Sequence, residues 1–284
     1  MSDYFGFFAR GEAGNLILGP DHPVMAHYFG GDIRVTRLVG NGYNAQGTSA
    51  CTAVYPRAIT TVLPPMVFGV PNPYFSGGGI GRFSHVGVPG NWTGFRVVFI
   101  DSLFYRKDKF DYSYSAKVGQ HTGWSYRVCG FDAPPSSDRF GLRLWAADGK
   151  LVFDSGWPIV PFRGLLKNWQ AAGGGYYSPL PYWGDSFWNS TEIDDADRYG
   201  IYRHAWGATD GQMGVLISQL CTMVVLADTG KRNTRIKTIP MIGFDSLART
   251  HLTCTLAYGT IQHAGTAGPA LSNFGLLTAD FSRI

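Results

Sequence analysis

The chain has 284 residues, of which 38 are Gly and 16 Pro; 15% of side chains are aromatic and only 15% are charged. An apolar share of 45% excludes an intrinsically disordered chain, and the length suits one large or two ordinary domains. A net charge of +4, from 24 basic and 20 acidic residues, is too mild and too scattered for a nucleic-acid-binding protein.

Gly and Pro disfavour helix, while Tyr, Phe, Trp, Val and Thr favour strand. The composition therefore predicts an all-β, loop-rich fold. The low charge predicts a surface partly covered by partners. Met1-Ser2-Asp3-Tyr4 lacks the basic start and apolar run of a secretion signal, so none is expected. No run reaches the 18 or so apolar residues of a membrane helix, so no membrane span is expected. Cys51, Cys129, Cys221 and Cys254 form no Cys-x-x-Cys pair and read as buried free thiols.

The first element is a β-hairpin, Phe5-Gly6-Phe7-Phe8-Ala9-Arg10 to Leu16-Ile17-Leu18, turning at Ala13-Gly14 and followed by His22-Pro23-Val24-Met25. Next, 32–39 alternates polar and apolar residues as a half-buried strand does, and 40–47 is turn-rich. Further strands are expected at 58–63 and 66–70, with a loop from Pro71 to Gly81. The strongest strand pair of this half is 95–100 with 110–118. Asp132 to Arg139, with Pro134-Pro135 and two serines, reads as a linker.

A second hairpin follows at once. Phe140-Gly141-Leu142-Arg143-Leu144-Trp145 and Leu151-Val152-Phe153 flank Asp148-Gly149, a strong tight-turn signal, and Trp157-Pro158-Ile159-Val160 follows. It aligns with the first hairpin without a gap at an offset of 135 residues (Phe5 to Phe140). Phe, Gly, Gly, Leu and Pro coincide at Phe5/Phe140, Gly6/Gly141, Gly14/Gly149, Leu16/Leu151 and Pro23/Pro158. Such self-similarity marks a repeated structural unit. Two tandem antiparallel β-sandwich-like domains are therefore expected, at 1–131 and 140–284, each opened by a related hairpin. In the second, 170–188 is a long aromatic Gly/Pro loop, 213–226 holds one strand or two, 250–258 is a strand, and 264–284 is expected to be irregular.

The paired hairpins, Tyr4-Phe5-Gly6-Phe7 with Gly14-Asn15-Leu16-Ile17-Leu18 and Phe140-Gly141-Leu142 with Asp148-Gly149-Lys150-Leu151-Val152-Phe153-Asp154-Ser155, resemble the start of small β-rich tail-tip or tail-fibre proteins of tailed bacteriophages. The resemblance covers about 25 residues in each half. The first copy departs from it where Gly19-Pro20 replaces Asp154-Ser155. It implies a structural virion protein, made in the host cytoplasm, that assembles with other phage tail proteins as a homo-oligomer, a trimer or a ring. It carries no catalytic residues to transfer.

His22, His27, His85, His121, His204, His251 and His263 show no metal-ligand spacing, and His22 and His27 read as solvated loop residues. Asp194, Asp195 and Asp197 form the acidic cluster, but the twelve-position calcium loop is missing. No metal or cofactor is expected. Asp185, Glu192, Asp194 and Asp197 near Trp183 and Trp188 could furnish the facing carboxyls of a glycan hydrolase. The aromatic loop gives the best candidate contact residues: Tyr176, Tyr177, Tyr182, Trp183, Phe187 and Trp188. Their flat amphipathic rings suit a sugar or a protein groove. The readings are ranked accordingly: a non-enzymatic tail component first, a module that grips a host surface receptor such as a glycan or pilus second, a glycan hydrolase third.

Overall fold

The computed structural model describes residues 9–10, 16–18, 23–38, 48–71, 79–100, 117–166, 170–171, 201–205, 212–220, 223–226, 235–244, 251–259 and 275–284. The fold is all-β, with antiparallel sheets. Before the 132–139 segment run β1 (Ala9–Arg10), β2 (Leu16–Leu18), β3 (Ala26–Arg34), β4 (Arg37–Leu38), β5 (Thr48–Ile59), β6 (Met66–Pro71), β7 (Gly79–Val88), β8 (Asn91–Ile100) and β9 (His121–Gly130). After it come β10 (Arg143–Trp145), β11 (Leu151–Asp154), β12 (Phe162–Leu166), β13 (Gln170–Ala171), β14 (Ile201–Ala205) and β15 (Met213–Leu216). A 3-10 turn, Ile217–Gln219, leads to β16 (Met223–Leu226), β17 (Arg235–Phe244), β18 (His251–Gly259) and β19 (Leu276–Asp280).

The two hairpins form two small sheets, β1-β2 and β10-β11. The remaining strands build a six-stranded sheet, β12-β19-β15-β6-β9-β3, and a nine-stranded one, β13-β14-β18-β17-β7-β8-β5-β4, with β16 beside β17. Strands from both sides of the 132–139 segment therefore share both sheets. They meet at β6 against β15 and at β7 against β17.

The repeat seen in the sequence is a repeat of register. In the first hairpin Ala9 opposes Leu18 and Arg10 opposes Leu16, with a bulge between Ala9 and Arg10. In the second Leu144 opposes Phe153 and Trp145 opposes Leu151, with a bulge between Leu144 and Trp145. These are the same pairs at the same offset. The offset then carries into the next strand. His27, Phe29, Gly30 and Gly31 of β3 oppose Cys129, Val128, Arg127 and Tyr126, with a bulge at Tyr28. Phe162, Gly164, Leu165 and Leu166 of β12 oppose Ala279, Thr278, Leu277 and Leu276, with a bulge at Arg163. A bulge re-aims a strand and twists an edge away from further pairing. Both outer strands of the six-stranded sheet carry one at the same place.

The core has two layers. Between the large sheets, Phe95 and Phe99 of β8 and Ile80 and Phe83 of β7 pack with Trp124, Tyr126 and Val128 of β9 and Val215 and Leu276 from beyond the linker. Phe95 meets Tyr126 edge-on with centroids 5.1 Å apart. On the other face of the six-stranded sheet, Phe68, Val70, Cys129, Leu216, Ala279 and Phe281 pack under Met25 and Val160, from the segments that follow the hairpins. That sheet is thus buried on both faces, which explains its near-continuous apolar runs, as in Met66-Val67-Phe68-Gly69-Val70.

Several expectations need correction. Residues 32–39 are not one strand: β3 starts earlier, at Ala26, and the chain breaks before β4. Of the strand expected at 58–63 only 58–59 is strand, the end of β5, which begins at Thr48, while 60–63 is loop; and 71–81 already holds the start of β7. Strand 95–100 does not pair with 110–118. Both of its edges are taken, by β5 and β7, while 110–116 lies outside the described residues. The segment 213–226 divides into β15 and β16. The tail is not wholly irregular, since β19 sits between β12 and β15 and Phe281 is fully buried. Its small residues hid it: Thr278 and Ala279 fit only because both faces are packed.

Replacing Phe281 with Ala should cost about 3–5 kcal/mol, the usual price of emptying a buried phenylalanine site. A urea titration showing a loss below about 1 kcal/mol would contradict the packing of the tail.

Candidate functional site

The aromatic residues proposed for contact, Tyr176, Tyr177, Tyr182, Trp183, Phe187 and Trp188, lie outside the described residues, as do Asp185, Glu192, Asp194, Asp195 and Asp197. The described residues hold two polar clusters, a set of buried imidazoles and thiols, and two exposed apolar surfaces.

The first cluster sits under the second hairpin. Gly149, with φ 82°, takes the positive-φ corner of the Asp148-Gly149 turn, and Ala146 and Lys150 close it. The strand leaving the turn ends at Asp154, which is 2% exposed. Its carboxylate accepts from the backbone N–H of Ser136 and of Gly156, from the Ser136 hydroxyl at 2.9 Å, and from Arg143 Nε at 2.8 Å. Arg143 also donates to the Ser136 and Asp138 carbonyls. Trp157 Nε1 donates to Pro134 O at 2.8 Å, and Lys150 pairs with Asp132. The linker is therefore strapped to the hairpin. Burial opposes the charge on Asp154, but the backbone donors, Arg143 and Ser136 outweigh it and hold the carboxyl at about 2. Ser155 completes the strap: its hydroxyl accepts from Leu142 N–H and fills the space where a Cβ on Gly141 would sit.

The second cluster lies on the β3–β9 ladder. Asp32 accepts from Arg34 Nη2 at 2.9 Å and from His121 Nε2 at 3.2 Å. His121 Nδ1 accepts the Gly123 N–H at 2.8 Å, so the proton sits on Nε2. Desolvation raises Asp32, but these hydrogen bonds dominate and hold it below the usual carboxylate value.

His27 is not a solvated loop residue. It is the second residue of β3, its ring lies edge-on to Phe281, and its Nε2 is buried without a partner. His85 stands between Phe83 and Trp92, with Nδ1 likewise buried and unpartnered. Burial lowers both to about 4; Arg127 adds to the effect at His27. Cys51 and Cys129 are buried free thiols, as expected, and burial lifts Cys51 to about 12. Cys221 and the Cys254 side chain lie outside the described set. Among the described residues no group of three His, Cys, Asp or Glu is placed to hold a metal ion, and no helix is long and apolar enough to cross a membrane.

The apolar surfaces are built by turns. Thr61 O accepts from Gly90 N–H and Trp92 Nε1, both at 2.9 Å, and Thr61 Oγ1 donates to Leu63 O. With the loop tied to the β7–β8 turn, Val62 and Leu63 project outward at 75% and 76% exposure, and Val88 lies on the adjoining turn. On the second hairpin Phe140 is 92% exposed, and Leu142 and Trp145 are about half exposed. Sequence reasoning missed Val62 and Leu63, because a Val-Leu pair before Pro64-Pro65 reads as strand interior.

Comparison with protein-family models, with curated proteins and with solved structures finds no match.

Asp154→Ala should strip the strap of its acceptor. The cost should be about 2–3 kcal/mol, less than for a fully buried pair because Arg143 reaches solvent. Limited proteolysis should then cut within 132–142; an unchanged digestion pattern would show that the strap does not hold the linker. For the buried imidazoles the folded pKa is depressed, so the stability they contribute is complete above pH 6.5 and is lost as pH falls toward 4. Thermal melts across that window should drop for the native chain and drop less for His85→Phe. Equal slopes would mean that His85 is not held neutral.

Proposed function

We propose that this protein is a non-enzymatic structural component of a bacteriophage tail tip or tail fibre, carried in the virion and assembled against other tail proteins. The observation that carries the reading is the exposed apolar surface of the second hairpin, Phe140, Leu142 and Trp145, together with Val62 and Leu63 at a loop apex. An outward aliphatic pair on a hydrogen-bonded loop gains nothing for its own core. Exposed apolar groups of this kind mark surfaces that other proteins cover.

The sheet edges narrow how such an assembly is built. Among the described strands, the nine-stranded sheet ends in β4 and β13, each two residues long, and the six-stranded sheet ends in the bulged β3 and β12. Short and bulged edges resist pairing with another chain. Contacts within a trimer or ring therefore run through the hairpin faces and loops, not through sheet extension.

The test is particle assembly with the double variant Val62→Asp, Leu63→Asp and, separately, Trp145→Asp. Each should leave the circular dichroism spectrum and melting point of the purified protein intact. Each should lower incorporation into particles by about tenfold or more, the effect of losing about 1.4 kcal/mol of contact. Normal incorporation of both variants, with normal infectivity, would end the structural reading. Adsorption lost from otherwise complete particles would favour the host-contact reading instead.

A further inference from the structure

We infer that the chain is a fused dimer of one β module, and that the seam between its halves is an isologous protein–protein interface whose natural occupant is a second copy of that module. The inference is independent of any role in a tail and would survive the failure of that reading.

The two halves share one register. Taken in chain order, β3, β4, β5, β6, β7, β8 and β9 answer to β12, β13, β14, β15, β17, β18 and β19. Under that correspondence both large sheets read the same from either end: β12-β19-β15 against β3-β9-β6, and β13-β14-β18-β17 against β4-β5-β8-β7. Among the described strands of the two large sheets only β16 has no counterpart. The opposed positions correspond pair by pair. Val67 opposes Val128 and Met66 opposes Cys129 in one half; Val215 opposes Thr278 and Gly214 opposes Ala279 in the other. Across the nine-stranded sheet a single row runs Leu38, Ser49, Phe99, Ile80, then Ile242, Cys254, Tyr202, Ala171, one residue from each strand in mirrored order.

The contacts across the seam fall where a two-fold axis would put them. In an isologous interface a residue on the axis meets its own equivalent. Phe68 opposes Leu216, its equivalent. Ile80 opposes Ile242, and in each strand the next residue is Gly. Met25 O accepts from the N–H of Val160, its equivalent at the offset of 135, beside the Ala26–Ile159 bridge. The β6–β15 and Met25–Val160 crossings are centred in this way on equivalences fixed elsewhere in the ladders, and the β7–β17 crossing agrees with the same axis.

The halves also keep contacts while changing the chemistry. At the bulge of β3 the Tyr28 ring lies over Gly130, in the space a Cβ there would fill. At the matching bulge of β12 stands Arg163, and the position matching Gly130 is Asp280. The two form an ion pair. Tyr over Gly in one half and Arg on Asp in the other cover the same place by different means. Divergence of two copies under one packing constraint produces such compensated pairs; chance resemblance of hairpins does not.

The experiment uses three full-length chains. In the first, a protease site inserted between Asp138 and Arg139 is cleaved after folding. The fragments should co-elute as one species of the intact chain's mass and part only in denaturant. In the second, residues 140–284 are replaced by a second copy of 5–139; in the third, residues 5–139 are replaced by a second copy of 140–284. At least one tandem chain should be a cooperatively folding monomer that forms a disulfide when Cys is placed at both copies of Ile80 (or of Ile242) and not when one Cys is moved one residue along. Fragments that separate without denaturant, or failure of both tandem chains to fold, would overturn the inference. Disulfide formation in the shifted register would do the same.

Discussion

Everything in this molecule depends on backbone pairing across its middle. β6 opposes β15 and β7 opposes β17, so two sets of strands that could have formed separate sandwiches share two uninterrupted sheets. Strand edges at those positions are apolar, with Phe68, Ile80 and Leu216 on the pairing line. Such edges are costly to leave open, because unpaired N–H and C=O groups beside apolar side chains invite another chain. Closing them internally removes the hazard. It also makes the core continuous: Val215, Ile217, Leu220 and Leu276 lie in the same cluster as Trp124 and Phe95.

The outer edges are handled in the opposite way. Where the sheets end, the strands are two residues long or carry a bulge, and where strand β3 begins, the Ala26–Ile159 bridge covers it. Among the described residues the well-formed pairing lies inside and the blunted edges outside. Exposed apolar side chains there include Phe140, Leu142 and Trp145 at the second hairpin and Val62 and Leu63 at the loop apex.

The two hairpins show how one local motif settles into different surroundings. Both have the same register and the same bulge. The second is strapped to the linker by Asp154, Arg143 and Ser136, whereas the first has Gly19 where the second has Asp154 and Phe8 where the second has Arg143. A buried carboxylate is tolerable only with several donors around it, and the linker provides two of those donors from Ser136. The first hairpin keeps the pairing of the motif without the charge.

The sequence by itself determined the class of the fold and the repeat. Gly, Pro and aromatic content fixed β structure, Asp148-Gly149 marked the turn, and the gapless offset from Phe5 to Phe140 reproduces as identical pairing, because turn chemistry and alternation are local. It also marked Cys51 and Cys129 as inert buried thiols. It did not reveal β9, β19 or the partners of 95–100, and it placed His27 in solvent. Those are matters of which distant strand lies alongside, and alternation is the same whichever neighbour fills the edge. The exposure of Val62, Leu63 and Phe140 was equally out of reach, since an apolar residue in a strand-rich chain reads as core until the packing leaves it outside. Only the tertiary structure decided that the halves share their sheets, because an edge hydrogen bond is written in backbone atoms common to every residue.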